Sequence, residues 1–329
     1  MPTFRTAPRL LMSAALLLPL AACGSPGTGT ERPQGARTAA GFPYTVSNCG
    51  TRTTFDAPPE RTVTMNQHAT EVMLALGLGQ RIAGTAYADD AVLPRYRSAY
   101  ARTRVLAKEY PSKETLLGVN PDFVYGGYAS AFDKGEGRDR AGLEESGIAT
   151  RLNVESCTRG PAGLDAVRTE ITEVARTFGV PARGRRLIAG QQRKIDTVEA
   201  GLRKSPRPSV FVYDSGDSSP FTAGGYGIGD RIISLAGGRN IFSDVHHAFG
   251  TVSWEQVVKR EPDVIVIYDY GGTPVEAKKK RLREDPALAG VPAIKHNRFA
   301  VLPLSSAVVG VRVADAVEDL AGQLHPGVA

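Results

Sequence analysis

Phenols, imidazoles and small polar side chains cluster where hydrophobic runs stop along this chain of 329 residues. Asn66, Gln67 and His68 follow the run that ends at Met65, Tyr87 follows Ala86, and Tyr125 and Tyr128 flank Gly126-Gly127. In the second half Tyr213, Asp214 and Ser215 close one run and Tyr268 and Tyr270 another, while Tyr226, His246, His247 and Arg312 stand near further boundaries. Ligands of open α/β sheets gather beyond the carboxyl ends of the strands, so these side chains are candidates for one binding cleft. The chemistry they offer is recognition. A tyrosine presents an apolar face and a polar tip at low entropic cost, which suits a large, flat, oxygen-rich ligand.

Each candidate has a plainer alternative. A tyrosine at a strand end serves equally as half-buried core. Arg312 either faces an anionic ligand or pairs on the surface, and His246 and His247, after Asp244, either reach the cleft or stay in a solvated loop. The run Lys278-Lys279-Lys280-Arg281 reads as a solvated helix face. Covalent chemistry has little to stand on, since the chain lacks Gly-x-Ser-x-Gly and the Walker A spacing. Gly225-Tyr226-Gly227-Ile228-Gly229 imitates part of a dinucleotide loop but fails the fingerprint from its fourth residue onward. A bare transition metal needs three or four His, Asp or Glu ligands at ~2.0 to 2.2 Å. The chain has five histidines, of which His296 and His325 lie elsewhere in the pattern, and His68-Ala69-Thr70-Glu71 supplies half a site at best. No resident metal or cofactor is expected.

A second pair of chemical groups is set by an internal repeat. Ser112-Lys113-Glu114-Thr115-Leu116-Leu117 runs to Pro121-Asp122-Phe123-Val124, and Ser253-Trp254-Glu255-Gln256-Val257-Val258 runs to Pro262-Asp263-Val264-Ile265, every matched position offset by 141. That period is too long for a solenoid and marks two similar halves. In each copy the serine caps a short helix, with Gln256 completing a capping box in the second. The glutamate lies in the first turn, where the helix dipole favours negative charge. Pro-Asp ends the connection, and the apolar run after it predicts a buried parallel strand.

The elements that must hold these groups alternate in kind. Strands are predicted over 61–65, 81–86, 103–107 and 148–154, with an amphipathic helix through Ala69, Val72, Met73 and Leu76 and another over 164–178. The second half predicts strands over 209–213, 263–267 and 299–303 and helices over 229–236, 253–260 and 312–324. Strand and helix taking turns means α/β with a mainly parallel sheet in each half. Between the halves, Leu187, Ile188, Gln191, Ile195, Val198 and Leu202 share one stripe and predict a single helix over 181–204, about 36 Å long. Pro181 suits its start and Ser205-Pro206-Arg207-Pro208 stops it.

Composition, 42% hydrophobic and 22% charged, is that of a globular chain rather than a disordered one. Arg5 and Arg9 precede an apolar run that ends in Leu20-Ala21-Ala22-Cys23, and at about 13 residues this is a secretory signal too short to span a bilayer comfortably. The final quartet resembles the bacterial lipobox, which makes Cys23 the lipidated first residue of the mature protein; the alternative is an ordinary signal with a chance cysteine. Without Arg5 and Arg9 the 40 basic residues become 38 against 34 acidic, too mild an excess to imply nucleic acid. Residues 23–43 are rich in Gly, Ser, Thr, Pro and Ala and read as a flexible tether, reaching roughly 25 Å on average. Cys49 and Cys157 remain as an even pair, which predicts a disulfide in an oxidising compartment, or else two buried thiols.

The chain resembles the substrate-binding proteins of ABC importers, in the class that carries ferric siderophores, haem and vitamin B12. Pro59-Glu60-Arg61 leading to Ala69-Thr70-Glu71-Val72-Met73-Leu74-Ala75-Leu76-Gly77 carries the resemblance, with the two Ser-x-Glu/Pro-Asp copies, Ala236-Gly237-Gly238-Arg239-Asn240-Ile241 and Ala293-Ile294-Lys295-His296-Asn297-Arg298. It covers roughly residues 55–326. The resemblance implies a class III periplasmic-binding-protein fold: two Rossmann-like lobes, 44–179 and 207–329, joined by one long backbone helix, 180–206, behind a signal peptide, 1–22, and the tether, 23–43. It implies a ligand between the lobes, small closure, and Glu114 and Glu255 docking into arginine pockets on the paired permease subunits of an importer with a cytoplasmic ATPase. It also implies a monomeric receptor without enzymatic activity, lipid-anchored to the outer face of the cell membrane. The expected cargo is a ferric siderophore or related metal chelate. Haem with His68 or a tyrosine as axial ligand, cobalamin, a bare transition metal, and a metal chelatase of similar two-lobed form are the alternatives. His68 stands where similar proteins more often have a small residue, which makes a ligand contact as good a reading of it as a structural one.

Overall fold

Alternation of strand and helix folds into two parallel sheets, one in each half of the chain. The computed structural model describes residues 39–157 and 159–327; the signal segment 1–22 and the lipidation position Cys23 lie outside the described residues. The first half opens with an antiparallel hairpin, β1 (Tyr44–Asn48) and β2 (Thr51–Phe55). Sequence reading places no element here, although Tyr44, Val46 and Asn48 point inward in strict alternation. Strands β3 (Thr62–Met65), β4 (Ile82–Ala86), β5 (Val105–Ala107), β6 (Phe123–Gly126) and β7 (Ala149–Leu152) follow, paired in parallel in the order β5-β4-β3-β6-β7. Helices α1 (Gln67–Ala75), α2 (Arg97–Tyr100), α3 (Lys113–Leu117), α4 (Arg140–Glu145) and α5 (Leu164–Thr177) connect and cover them. The Cys49–Cys157 disulfide fastens the hairpin turn to the segment beyond β7.

The second half holds β8 (Ser209–Tyr213), β9 (Phe221–Ala223), β10 (Arg239–Asn240), β11 (Phe249–Thr251), β12 (Val264–Asp269) and β13 (Phe299–Pro303). Four of these pair in parallel in the order β10-β8-β12-β13, and β9 pairs with β11 as a small antiparallel ribbon that sequence reading does not anticipate. Helix α6 (Pro181–Gly201) joins the halves, and α7 (Ile228–Leu235), α8 (Trp254–Arg260), α9 (Val275–Glu284), α10 (Pro292–Lys295) and α11 (Val313–Leu324) complete the chain. Helix α6 has 21 residues, about 31 Å, stopping three residues before the expected end. It packs on α5 and α11, and Gly184 permits the approach, since a Cβ there would stand 2.7 Å from that of Ala175.

The repeated motif does the same work twice. Ser112 caps α3 by accepting from the Thr115 amide at 3.2 Å, and Ser253 caps α8 from Gln256 at 3.3 Å, with Gln256 returning the bond to complete a capping box. The Asp122 carboxylate accepts from the Glu60 and Arg61 amides at 2.7 and 2.9 Å, and Asp263 accepts from the Ser209 amide at 2.7 Å. In each half the aspartate therefore fastens the start of the sheet's first strand. One apolar cluster runs from Phe123 and Ile171 through Ile195 to Val210 and Leu320, so both halves and the connecting helix share a core. Smaller clusters around Met65, Leu116 and Val124 and around Phe211, Phe242 and Ile267 cover the opposite sheet faces.

Candidate functional site

The strand order puts the site where it can form. In the first sheet the chain steps outward from β3 through β4 to β5 and then returns beside β3 as β6, while in the second it steps from β8 to β10 and returns as β12. Each reversal leaves a crevice at the carboxyl ends of the two central strands. These crevices are the two candidate walls of a ligand site.

On the first wall, two adjacent strands end in positive-φ residues other than glycine, Asn66 at 78° and Tyr87 at 53°. Such backbone costs about 1–3 kcal/mol per residue and concentrates at functional sites. Asn66 is buried, and its Oδ1 accepts from the Tyr110 hydroxyl at 3.0 Å. Tyr110 stacks on Tyr87 with centroids 4.6 Å apart. The His68 ring lies 4.8 Å from that of Tyr128 and directly over Gly127, where a Cβ would stand 2.4 Å from the imidazole. Burial pushes the His68 pKa down, outweighing the nearby Asp89 carboxylate and a hydrogen bond to the Gly127 backbone, so the ring is neutral. Asp89 accepts from the Gln67 amide at 3.1 Å, and burial raises its pKa. The Gln67 side chain turns to Glu71. His68 Nδ1, Asn66 Nδ2 and the Tyr128 hydroxyl have no hydrogen-bond partner among the described residues.

On the second wall, Tyr270 donates its hydroxyl to the buried Asp214 carboxylate, beside half-buried Ser215. Lys278 Nζ donates to the Asp214 and Tyr268 carbonyls at 2.6 and 2.7 Å and lies 4.8 Å over the Tyr270 ring. This corrects the reading of 278–281 as a solvated face: the lysine stem carries its charge inward to strand-end carbonyls, which a charge run alone does not reveal. Burial raises the pKa of Tyr110, Tyr128 and Tyr270 alike, with Asp214 adding to the effect on Tyr270. The cleft phenols remain protonated donors. Among the described residues no group of three or more His, Cys, Asp or Glu side chains is arranged to hold a metal ion.

Four candidates lie elsewhere than the cleft surface. Tyr125 is fully buried and donates to Glu170, which Arg151 also holds, at 2.6 Å. Tyr268 is 1% exposed, with its hydroxyl packed against Gly229. Both sit inside β6 and β12 because those strands continue past the ends of the hydrophobic runs. Tyr213 is the last residue of β8, and its ring packs on Trp254. Arg312 neither awaits a ligand nor pairs on the surface. It is 2% exposed and donates to Glu71 at 2.6 and 2.7 Å, with Asp90 at 3.0 Å.

Arg312 belongs to the seam between the lobes, where residues 304–312 of the second half lie against the first. Asp90 accepts from the Ser305 amide at 2.9 Å and Asn153 donates to the Val309 carbonyl at 2.9 Å. The Glu155 carboxylate accepts from the Ile228 and Val309 amides at 2.8 and 2.6 Å. Beside it lies a cavity of about 390 Å³ lined by Glu155, Ser156, Arg159, Tyr226, His246, His247 and Ala248. The structure thus brings Tyr226, His246 and His247 to one place. Tyr110, Glu155 and Arg159 escape sequence reading. Glu155 directly follows a predicted strand, which is the one signal available; the other two lie in loops.

Burial pushes the Glu155 carboxyl up to about 7 from 4.5, against the two amides that favour its charge. The folded protein consequently holds a proton that the unfolded chain releases above about pH 4.5, and stability falls as pH rises from there through 7. Burial raises Asp89, Asp90 and Asp214 in the same direction. Thermal unfolding followed from pH 4.5 to 8 should show the midpoint falling, and Glu155→Gln should flatten part of that slope. An identical slope in the variant would refute the assignment.

With this geometry established, relatives carry information. The sequence model of one family, described as periplasmic binding protein, matches residues 63–305. A Bacillus subtilis protein described as an uncharacterised ABC transporter substrate-binding lipoprotein is 24% identical over 321 residues, 95% of this chain and 96% of its own length. A solved periplasmic binding protein from Veillonella parvula is 30% identical with a TM-score of 0.78, over 86% of this chain and 97% of that one. A solved protein of an Fe3+-hydroxamate ABC-type transport system from Saccharomonospora viridis is 25% identical with a TM-score of 0.75, over 86% and 99% of the two chains.

Proposed function

The chain belongs to the periplasmic binding protein family, and from that premise we propose that it is the substrate-binding component of an ABC importer. It captures a ferric siderophore or related metal chelate outside the membrane and delivers it to a permease. The observation that carries this reading is the matched pair Glu114 and Glu255, each fully exposed in the first turn of a serine-capped helix, one in each half. The Glu114 amide and the Ser112 hydroxyl hold the Glu114 carboxyl below its usual pKa, and the Ser253 hydroxyl and Glu255 amide do so for Glu255. Both are permanent surface anions suited to arginine pockets on a two-subunit permease.

We place the lobes at 44–179 and 207–329 with residues 180–206 between them, and the membrane attachment at a lipidated Cys23. No helix of the described residues is long and apolar enough to cross a membrane. The cleft groups bind and orient; no bond of the cargo is made or broken. Protonated phenols and the absence of a three-ligand cluster among the described residues favour a metal already wrapped by its chelator over a bare ion. Cargo binding favours the arrangement that closes the two walls on it, and the permease releases it by drawing them apart.

Calorimetric titration of the mature protein with ferric hydroxamates, ferric catecholates, haem and cobalamin tests the reading. One of them should bind one-to-one with a dissociation constant of about 1 μM or tighter, and failure of every one would overturn it. Calorimetry is preferable to Trp254 fluorescence, because that indole packs against Phe211, Tyr213 and Arg281.

A further inference from the structure

The cavity at the seam differs in charge from the two walls. At the strand ends the acidic groups are Asp89 and Asp214, both with pKa raised by burial, and the cations beside them are buried or hydrogen-bonded within the wall. Arg312 is held by Glu71 and Asp90, Lys278 by two strand carbonyls, and Arg138 lies across the Tyr110 ring and donates to the Ala131 carbonyl at 2.6 Å. At the cavity, by contrast, Arg159 is exposed and enters no hydrogen bond or ion pair among the described residues, and the exposed His246 and His247 face the same space. The one carboxylate there, Glu155, turns both oxygens to the Ile228 and Val309 amides.

The local backbone is built to present this group. Gly224, Gly225 and Tyr226 donate their amides to Ala248, Val245 and His247 at 2.9, 2.9 and 3.1 Å. The two segments lie so close that a Cβ on Gly225 would stand 2.0 Å from the Ser243 carbonyl oxygen, and one on Gly224 2.3 Å from that of His247. The Ala162 amide grips the Tyr226 carbonyl from the first lobe at 2.8 Å. The Tyr226 and His246 rings are stacked, 5.1 Å apart and 14° from parallel. The glycine-rich stretch that imitates a dinucleotide loop serves here to bring the flat Tyr226–His246 pair beside Arg159 and His247.

We infer that this cavity receives an anionic edge of the cargo, a carboxylate or phenolate group on a planar ring system, with its charge at Arg159, His246 and His247 and its ring beside the Tyr226–His246 stack. The inference rests on the binding-protein reading and narrows its cargo class. An arginine matches a carboxylate or paired phenolates through parallel N–H donors, and a charge-assisted bond of this kind is stronger than a neutral one. Arg159, exposed and unpaired among the described residues, makes the seam a place where such an edge is stabilised.

Calorimetry on the mature protein with four probes tests it: haem for carboxylates, a ferric tricatecholate for phenolates, and an uncharged and a cationic ferric trihydroxamate. One anionic probe should bind most tightly, and which of the two does so identifies the source of the charge. Arg159→Gln should weaken that probe by about tenfold, Arg159→Lys should recover part of the loss, and the trihydroxamates should change by less than about twofold. Tightest binding of a trihydroxamate, or an Arg159→Gln protein that binds the anionic probe unchanged, overturns the inference while leaving the binding-protein reading intact. Failure of all four probes together with cobalamin overturns both.

Discussion

Replacing Glu114 and Glu255 together with alanine should abolish cargo uptake by cells while the purified protein binds its cargo as tightly as the parent. Both carboxylates are fully exposed and are held by the serine hydroxyl and amide of their own helix turn, with the Lys113 charge beside Glu114. The caps survive the substitution, because Ser112 and Ser253 still accept from Thr115 and Gln256. Stability should change little, since a first-turn dipole interaction at a fully exposed carboxylate is weak and screened by solvent and salt. Docking is different in kind, since truncating one member of a charge pair that the interface desolvates leaves its partner buried and unmatched. With two such pairs acting on one complex, the loss is large enough to stop transport. Uptake of radiolabelled cargo alongside calorimetry of the same proteins decides the matter: transport at the parental rate would show that these glutamates are helix-cap carboxylates and nothing more.

Arg312→Met should lower the unfolding free energy in urea by about 3–5 kcal/mol, the cost of leaving a buried charge without its partner. Glu71 has no exposure and Asp90 very little, and the guanidinium is the cation that answers both. Glu71 is further committed to the Leu93 amide and the Gln67 side chain, so it does not escape to solvent when the arginine is lost. Arg312→Lys, which keeps the charge but cannot span two carboxylates with the same fork, should lose less. A loss below about 1 kcal/mol for the methionine variant would show that water reaches the site and relieves the carboxylates.

The repeat at an offset of 141 was readable because caps and Pro-Asp turns are local signals that need no knowledge of the partner element. The strand-to-helix alternation came through for the same reason. Candidate cleft residues came through unevenly. Asn66, His68 and Tyr87 follow strands that end where the hydrophobic run does, whereas Tyr125 and Tyr268 lie inside strands that run one residue or more beyond it. Successive side chains alternate in direction along a strand, so an error of one residue exchanges cleft for core. Tyr110 and Arg159 sit in loops whose course no periodicity records. Arg312 and Lys278 show a different limit, since their partners Glu71 and Asp214 are 241 and 64 positions away in sequence. The hairpin β1–β2 was passed over because strands of five residues rich in threonine and serine carry little apolar contrast.

The unbroken hydrophobic seam from Phe123 through Ile195 to Val210 and Leu320 means that internal resemblance has not conferred independence. A fragment stopped before the bridging rod would present the greasy side of Ile171 and Val174 to water, and one begun after it would do likewise with Val317 and Leu320. Neither portion is a usable reagent in isolation, so each question about one side of this receptor has to be put to the whole molecule.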